Sequence, residues 1–475
     1  MALLASESSP VLGLIGFFGI LGAIGMVLSP TLSLVVVAAS LPLERLGRIT
    51  EDTAAYAVSV SRIVGLFALA AFLLFALFRR WRIHFGAPLL LYTGYTVIAA
   101  ITMIYTNVPE ETNRDVLRII GNLLFFFYVI NAMRSFQLVK LALIVWMAAS
   151  AGTGLYSMYD YYYGNSETIE EGEMGLTNYR FSTVVNDDSE SRTLGVKVKR
   201  AFGTTSHPTL FGLNLTMTLP FFAWMIAFQP WRWKIVSFPG FVVVCYNIVL
   251  SNTRAVMVLA LLSLIFIGIR GLFRITPQML LGMLLLGAAV LPFIPGDVFM
   301  RTLDPSLYTT AKSDSIRIRF KYWQKSVELA EQNWWTGIGV GDQTTIVDMV
   351  TDELSGRITP GGLKASAHNE FLWSLVEVGI IGWAFHWAFV GWVIWASFKA
   401  ASWFRRWEDA REEYWLMIAG QIMLVGVVLF GIQTEVFHFG LKGWWMMAGI
   451  TYAMYEMARR RMVAQALEDV HGNQG

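Results

Sequence analysis

The stretch SLVEVGIIGWAFHWAFVGWVIWASF, at residues 374–398, is apolar almost throughout. As an α-helix it is long enough to cross the core of a lipid bilayer, which is about 30 Å thick and requires roughly 20 apolar residues. Similar stretches recur along the chain of 475 residues, which is 55% hydrophobic and 15% charged and has a mean hydropathy of +0.53. Because a soluble domain carries roughly 25% charged residues, this composition indicates an integral membrane protein.

The apolar residues form blocks of helical length rather than the alternating pattern of strands. In lipid, only helices and closed barrels satisfy the backbone polar groups. The sequence therefore predicts an all-α fold, a polytopic membrane helical bundle with 12 or 13 transmembrane helices that forms a single domain over residues 1–475. The predicted spans lie at residues 10–28, 30–43, 57–78, 86–106, 116–132, 137–158, 208–228, 235–252, 255–272, 277–295, 374–398, 413–432 and 441–457.

Basic residues in the short connections predict the orientation of the bundle, because Lys and Arg concentrate in cytoplasmic loops. Counting back from a cytoplasmic C-terminus places six basic connections on one face: 79–82, 134–140, 231–234, 270–274, 404–411 and 458–462. Two long polar segments, 159–207 and 296–373, then lie on the extracytoplasmic face, which is periplasmic in a bacterial cell. Loops of this length usually act as lids or binding loops, so we expect the functional residues there.

The second long loop contains SDSIRIRFKYWQKSVELAEQNWW, which predicts an amphipathic helix lying over the bundle at the membrane interface. Apolar residues recur in it at helical spacing: Ile316, Phe320, Trp323 and Val327. The predicted N-cap is Asp314 or Ser315. The following TGIGVGD predicts a tight glycine turn that ends the helix. Since no strand precedes these glycines, they do not form a dinucleotide-binding fingerprint.

Four cationic or titratable residues on the extracytoplasmic face are the candidates for chemistry: Arg200, Arg254, Arg319 and His368. Arg254 lies between two consecutive predicted spans with almost no loop between them. An ionisable residue there is costly unless it snorkels, pairs or binds an anion, and a guanidinium suits phosphate bidentately. Each arginine is thus either a paired or solvated structural charge or an anion-binding group, and His368 is either a hydrogen-bonded helix-end residue or a catalyst.

The sequence gives little support for other kinds of site. No histidine or carboxylate pairs with His368 at metal-ligand spacing, so no metal site is predicted. The single cysteine, Cys245, lies in an apolar block, where a small buried hydrophobic role is expected. The net charge is +2, and no dense basic stretch occurs in a soluble segment, so we expect no nucleic-acid partner.

Four stretches, in order along the chain, resemble motifs of the O-antigen ligase and polymerase superfamily, and the resemblance covers residues 200–385. They are RAFGTTSHPTLFG from Arg200, SNTRA around Arg254, RFKYWQKSVELAEQNWWTGIGVG from Arg319, and His368-Asn369 followed by Gly379 and Gly382. Two departures are present. His207 stands where the family often has Asn, and Arg317 competes with Arg319 for one motif position. We favour Arg319 because it lies four residues before Trp323.

This resemblance implies a multi-pass glycosyltransferase of the bacterial inner membrane with its active site facing the periplasm. The implied donor is a glycan linked to undecaprenyl pyrophosphate, and the implied acceptor is a hydroxyl of lipid A-core or of another glycan, with membrane lipid as surroundings. Ligases of lipopolysaccharide biosynthesis, polysaccharide polymerases and protein O-oligosaccharyltransferases all belong to the superfamily. The sequence leaves these open, and we favour a ligase-type enzyme.

The resemblance also implies roles for particular residues. His368 is the expected general base, since a histidine pKa near 6.5 suits removal of the acceptor proton. Arg254 and Arg319 are expected to stabilise the leaving pyrophosphate. Substrate-binding roles are expected for four further residues: Arg200, Arg317, Asn369 and Trp323. The activated donor supplies the energy, so no cofactor is expected.

A transporter or lipid-linked glycan flippase is the alternative from another class, and a purely structural protein is a further one. Transporters tend to show inverted repeats, broken helices and ionisable residues near the middle of the membrane. In this chain the charges collect at one face and in the long loops. A scaffold would not require two arginines and a histidine at one interface. The charge distribution therefore favours the transferase.

Overall fold

The computed structural model describes residues 22, 24–43, 60–81, 83–163, 184–187, 198–205, 207–271, 311–342, 369–437 and 441–472; for residues 60, 184–187, 198–199, 311–319 and 471–472 the description covers the backbone only. These residues form helices and one antiparallel pair of strands. The elements are α1 (Pro30–Ser40), α2 (Val60–Phe78), α3 (Ala87–Ile101), α4 (Pro109–Ala132), α5 (Phe136–Tyr163), β1 (Val184–Asp187), β2 (Val198–Ala201), α6 (Pro208–Phe228), α7 (Trp231–Leu250), α8 (Arg254–Ile269), α9 (Ala311–Gln332), α10 (Glu370–Phe404), α11 (Arg411–Phe430) and α12 (Lys442–Gly472).

Within the described ranges, eight helices are long and apolar enough to cross a membrane: α2 to α7, α10 and α11. Two shorter apolar helices, α1 and α8, accompany them. The fold is therefore a polytopic membrane helical bundle, as the hydropathy predicts. The predicted span 277–295 and most of 10–28 lie outside the described residues, so the total of 12 or 13 spans stays a prediction.

Helix α6 lies at the centre of the bundle, where most of its residues are buried. It packs against α7, α8 and α11, and it buries large side chains such as Phe211, Phe221 and Trp224. The indole nitrogen of Trp224 donates to the carbonyl of Glu412 over 3.2 Å, which satisfies the polar atom of this buried ring. Because Glu412 is near the start of α11, this bond places the end of α6 beside the start of α11, and the two helices run antiparallel.

A second part of the core consists of stacked aromatic rings where α3, α10 and α12 meet. Phe389 stacks on Trp445 with ring centroids 5.5 Å apart, and Tyr92 meets the same indole at 4.6 Å. Trp444 contacts Phe389 edge to face. All four side chains are buried. Offset-stacked and edge-to-face aromatic pairs attract each other, and here they join α12 to α3 and α10.

Helix α9 confirms the helix predicted in the second long segment, with two corrections. The helix begins at Ala311, so Asp314 and Ser315 lie inside it, and neither is the N-cap. The predicted apolar face is not the packed one, because Phe320 and Val327 are 61% and 42% exposed. The packed side instead buries Leu329 and Ala330 against Trp373 and Val376 of α10, and Ser326 on α9 is buried as well.

Candidate functional site

Arg200 is buried near the end of β2, where it fastens the first long segment to the bundle. Its side chain is 7% exposed. The Nε atom donates to the carbonyl of Ser251 over 3.2 Å, and Nη2 donates to Oγ1 of Thr253 over 2.8 Å. Both acceptors lie in the turn at 251–253 that joins α7 to α8. The guanidinium therefore holds this turn in place through two charge-assisted hydrogen bonds.

Arg254 is the first residue of α8 and follows that turn directly. The turn is short because Asn252 takes a left-handed conformation, with φ of 47°, which asparagine adopts more readily than most residues. The near absence of a loop before Arg254 is thus confirmed. The arginines of the first two motifs come together, since Arg200 binds the residue immediately before Arg254.

The start of α6 supports the same turn. A Cβ on Gly212 would lie 2.8 Å from Cγ1 of Val256 and 2.9 Å from Oγ of Ser251, so the glycine lets α6 approach the turn closely. His207 is the N-cap of α6, and its Nδ1 accepts the backbone N–H of Thr209 over 3.2 Å. An asparagine oxygen would perform the same capping role. The departure from the motif at this position therefore preserves the local structure.

A mostly apolar groove of about 210 Å³ lies between α8 and α11. On the α8 side its lining runs from Ala255, next to Arg254, to Arg270 just beyond the end of the helix. With 16 residues, α8 is about 24 Å long. On the other side the lining includes Gln421, Phe430 and Gln433. The groove therefore extends along α8, and one of its ends lies next to the turn at 251–253, which we call the arginine turn.

The start of α10 lies at this same end of the groove. The backbone N–H of Glu370 donates to the carbonyl of Gly431 over 2.7 Å, and its Oε2 accepts the N–H of Phe437 over 3.1 Å. Gly431 follows Phe430, which lines the groove. Helix α8 begins beside the start of α6, and α11 runs antiparallel to α6. The C-terminal end of α11 therefore lies at the same end of the bundle as Arg254. These contacts bring the histidine motif toward the arginine turn.

Asn369 caps α10, and its Oδ1 accepts the backbone N–H groups of Phe371 and Leu372 over 3.0 and 3.1 Å. Its contact with substrate stays a prediction, whereas its role as the N-cap of α10 is observed. His368, the expected base, is the preceding residue and lies outside the described part of the chain. The position of Asn369 therefore locates the motif to within one residue.

A break in α10 receives the glycine turn that follows α9, defined here as residues 337–342. Gly379 has φ of 63°, which interrupts the helix. In a continuous helix the N–H of Ile380 would bond to Val376. Instead Ile380 donates to the carbonyl of Trp334 over 2.8 Å, and the carbonyl of Val376 accepts the N–H of Ile338 over 2.9 Å. The two segments thus exchange backbone hydrogen bonds across the break.

Only glycine fits at the two closest points of this contact. A Cβ on Gly337 would lie 2.4 Å from the carbonyl oxygen of Glu377, and a Cβ on Gly379 would lie 2.4 Å from the carbonyl oxygen of Trp335. Gly379 is therefore both a position of close packing and the break in α10. The last two motifs are therefore joined through their glycines.

Comparison with known proteins bears directly on this arrangement. The family model described as O-antigen ligase matches residues 239–387, and no curated protein matches the chain. The chain carries an O-antigen ligase domain. This supports its place in the O-antigen ligase and polymerase superfamily, as the motifs indicate. The matched residues include the arginine turn, α8 and its side of the groove, α9, the glycine turn and the break in α10.

The O-antigen ligase domain also contains a buried carboxylate that is not one of the motif residues. Glu377 is fully buried, and its Oε1 accepts the N–H of Gly341 over 2.7 Å. On the other side of the glycine turn, Thr102 Oγ1 accepts the N–H of Val340 over 3.2 Å. The signal for Glu377 was present in the sequence, because an ionisable residue inside an apolar span is costly and usually has a specific role.

A further ion pair lies where α4 meets the glycine turn. Asp115 is buried, and its carboxylate lies 3.2 Å from Arg118 and 3.6 Å from Arg114. A Cβ on Gly341 would lie 3.0 Å from Oδ2 of Asp115, so the turn packs closely on this pair. The O-antigen ligase domain is therefore held against α4, a helix outside the matched residues.

Arg319 and Arg317 lie on α9, and the structure describes only their backbone. Trp323, also on α9, is half-buried and meets Phe320 edge to face, with ring centroids 5.3 Å apart. Helix α9 packs on α10, whose first residues lie at the groove end. The structure thus gathers Arg200, Arg254 and Asn369 at one end of the bundle and attaches the helix of Arg319 beside them.

Proposed function

We propose that this protein is a membrane glycosyltransferase of the O-antigen ligase type. It transfers an oligo- or polysaccharide from undecaprenyl pyrophosphate to an acceptor hydroxyl at the periplasmic face of the inner membrane. The observation that carries the proposal is that Arg254 immediately precedes Ala255, the first residue of α8 that lines the apolar groove, at the end of the groove where α10 begins.

The groove supports a lipid-linked donor in particular. A polyprenyl pyrophosphate combines a long apolar chain with a compact anion at one end. The apolar lining along α8 suits the chain, because it offers van der Waals contact without burying polar groups. Arg254, the residue before Ala255 at that end of the groove, is suited to the pyrophosphate because a guanidinium can bind phosphate bidentately. A soluble nucleotide-sugar donor would leave the groove without a role.

The reaction breaks the bond between the anomeric carbon and the pyrophosphate oxygen, and the electron pair leaves with the lipid pyrophosphate. The acceptor hydroxyl oxygen forms the new bond to the anomeric carbon, and His368 takes its proton. Arg254 and Arg319 stabilise the charge that develops on the leaving group. Arg200 acts on Arg254 through the turn that it holds, so it is a positioning residue in this scheme.

The glycine turn has a role in the same scheme. Transfer requires the leaving-group arginines and the base to be positioned to a fraction of an ångström. Helix α9 carries Arg319, and α10 begins one residue after Asn369. Rigid exchange of backbone hydrogen bonds at Gly379 supports that precision better than side-chain packing alone.

The test uses the purified full chain with an undecaprenyl-pyrophosphate glycan and lipid A-core as acceptor. We expect transfer by the wild type and its loss in His368→Ala and Arg254→Ala. Arg270→Ala is the matched control, because it removes an arginine from the opposite end of the same groove, and it should retain transfer. Near-normal transfer by His368→Ala would show that another group is the base.

Two further outcomes separate the related activities. Growth of the glycan on a second donor molecule, with no product on lipid A-core, would identify a polymerase. If the wild type transfers glycan to no acceptor but moves the lipid-linked glycan between leaflets, the transferase proposal fails.

A further inference from the structure

The end of the bundle opposite Arg254 carries a histidine and two arginines from three segments of the chain. His84 lies between α2 and α3, Arg134 lies between α4 and α5, and Arg460 lies on α12. We refer to these three residues as the basic cluster. The positive-inside pattern predicts that this end is cytoplasmic. The cluster lies outside the O-antigen ligase domain and has no part in the transfer chemistry.

Direct hydrogen bonds hold the basic cluster together. Nη2 of Arg460 lies 2.6 Å from Nε2 of His84. Because a guanidinium can only donate, this ring nitrogen is the acceptor and carries no proton. Asn131 then joins His84 to the next segment, since its Oδ1 accepts the backbone N–H of His84 over 2.7 Å. The backbone of His84 is therefore held by Asn131 of α4, and its ring accepts a hydrogen bond from Arg460 of α12.

Arg134 is held on the other side of Asn131. Its guanidinium carbon lies 3.8 Å from the centroid of the Trp81 ring, and its Nε donates to the carbonyl of Asn131 over 3.1 Å. The side chain remains exposed despite these contacts. A guanidinium stacked on an aromatic ring is preorganised, so it loses less entropy when it binds an anion.

The electrostatic field around His84 is positive. Burial lowers the pKa of His84, and the charges of Arg460 and Arg134 lower it further. The carboxylate of Glu456 opposes this effect, but Arg459 binds it over 2.8 Å. Arg460 and Arg134 thus act on His84 together with a single carboxylate that Arg459 already pairs, and the excess of positive charge favours an anion.

Exposed apolar side chains flank the basic cluster. Leu77 and Phe78, at the end of α2, are 73% and 80% exposed, and Phe85, next to His84, is 69% exposed. Trp81, which stacks under Arg134, is of the type that collects at membrane interfaces. A ligand that matches this surface has an anionic group for the arginines and apolar chains for the rings.

We propose that the basic cluster binds the phosphate of an anionic phospholipid, with its acyl chains against Phe78 and Phe85. Arginine forks bind phosphate bidentately, and basic pockets between helices on the cytoplasmic side are suited to anionic headgroups. The bound lipid would bridge α12 to the α2–α3 and α4–α5 connections, so it should also raise the temperature of unfolding.

The test measures lipid binding by native mass spectrometry of the full chain in detergent. Phosphatidylglycerol is the probe and phosphatidylcholine is the zwitterionic comparison. We expect Arg134→Gln/Arg460→Gln to weaken phosphatidylglycerol binding at least about tenfold while leaving phosphatidylcholine binding unchanged. Arg405→Gln/Arg406→Gln is the matched control, because it removes two exposed arginines from the same end of the bundle and should bind as the wild type does.

Thermal unfolding of each variant without lipid establishes that it folds, and Arg460→Gln alone, an exposed change, provides a milder version. Equal phosphatidylglycerol binding by the double variant and the wild type would overturn the proposal. An equal loss in the control variant would show general charge attraction and would also overturn it. Inorganic phosphate is the third probe, and if it binds as tightly as the lipid, the site serves a soluble anion instead.

Discussion

Two connections at the same end of the bundle position the candidate groups by different means. In the turn at 251–253, one buried side chain, Arg200, holds the backbone before Arg254. In the glycine turn, backbone groups bond directly to the broken α10, and the close approach depends on having no side chain at Gly337 and Gly379. The first connection is therefore sensitive to removal of atoms, and the second is sensitive to addition of them.

The largest effect is expected at the glycine turn. In Gly337→Ala or Gly379→Ala, the new methyl group would meet backbone atoms at 2.4 Å, and the residue would keep a positive φ. Left-handed strain and overpacking together should destabilise the protein by roughly 2 to 4 kcal/mol. We expect a lower midpoint of thermal unfolding in detergent and loss of glycan transfer.

Gly391→Ala, also on α10, provides the control for those variants. No atom lies within 4 Å of a Cβ at this position, and the backbone is helical. Alanine in a helix interior is roughly 0.5 to 1 kcal/mol better than glycine, so this variant should be as stable as the wild type or slightly more so. Wild-type stability in Gly379→Ala would mean that the break in α10 is not required.

An intermediate effect is expected from Arg200→Ala. It removes two charge-assisted hydrogen bonds from a buried site, which should cost about 2 to 3 kcal/mol. Because the turn before Arg254 is then less well held, kcat for transfer should fall more than KM rises. Arg200→Lys keeps the charge but not the fork and should recover only part of the rate.

A direct contact between Arg200 and the substrate would give a different kinetic result. A rise in KM with unchanged kcat and unchanged thermal unfolding would identify a direct substrate contact, as the motif resemblance implies. Such a result would remove the positioning role from Arg200.

The smallest effect is expected at His207, the N-cap of α6. His207→Asn should leave stability within about 0.5 kcal/mol of the wild type, because asparagine is among the best capping residues. His207→Ala removes the acceptor for Thr209 and should cost about 1 kcal/mol. Thermal unfolding measures both. If the two variants are equally destabilised, the ring has a role other than capping.

Much of the candidate site follows from the sequence, and the remainder depends on long-range packing. Hydropathy placed Arg254 between two spans, and α8 begins at that residue. Helical spacing predicted α9, but its apolar face at Phe320 and Val327 does not pack on the bundle. Periodicity identifies residues that share a face, whereas in a membrane either lipid or protein can cover that face. The choice between them depends on the neighbouring helix.

For a similar reason, the sequence alone did not predict the role of Gly379. A glycine in an apolar span is compatible with close packing, a kink or a break. The break forms because Ile338 and Trp334, remote in sequence, supply the hydrogen bonds that α10 gives up. Unpaired backbone groups are too costly in this setting to remain without partners, so the broken helix and the glycine turn require each other.

The sequence by itself determined the class of this protein, a polytopic helical membrane protein with an O-antigen ligase domain, because apolar block length and motif order are properties of the chain alone. Only the tertiary structure decided that Arg200 binds the turn before Arg254, that a groove extends from that turn, and that α9 and α10 exchange hydrogen bonds at Gly379. These are contacts between residues far apart in the chain. Their geometry depends on where the helices pack, which local spacing does not encode.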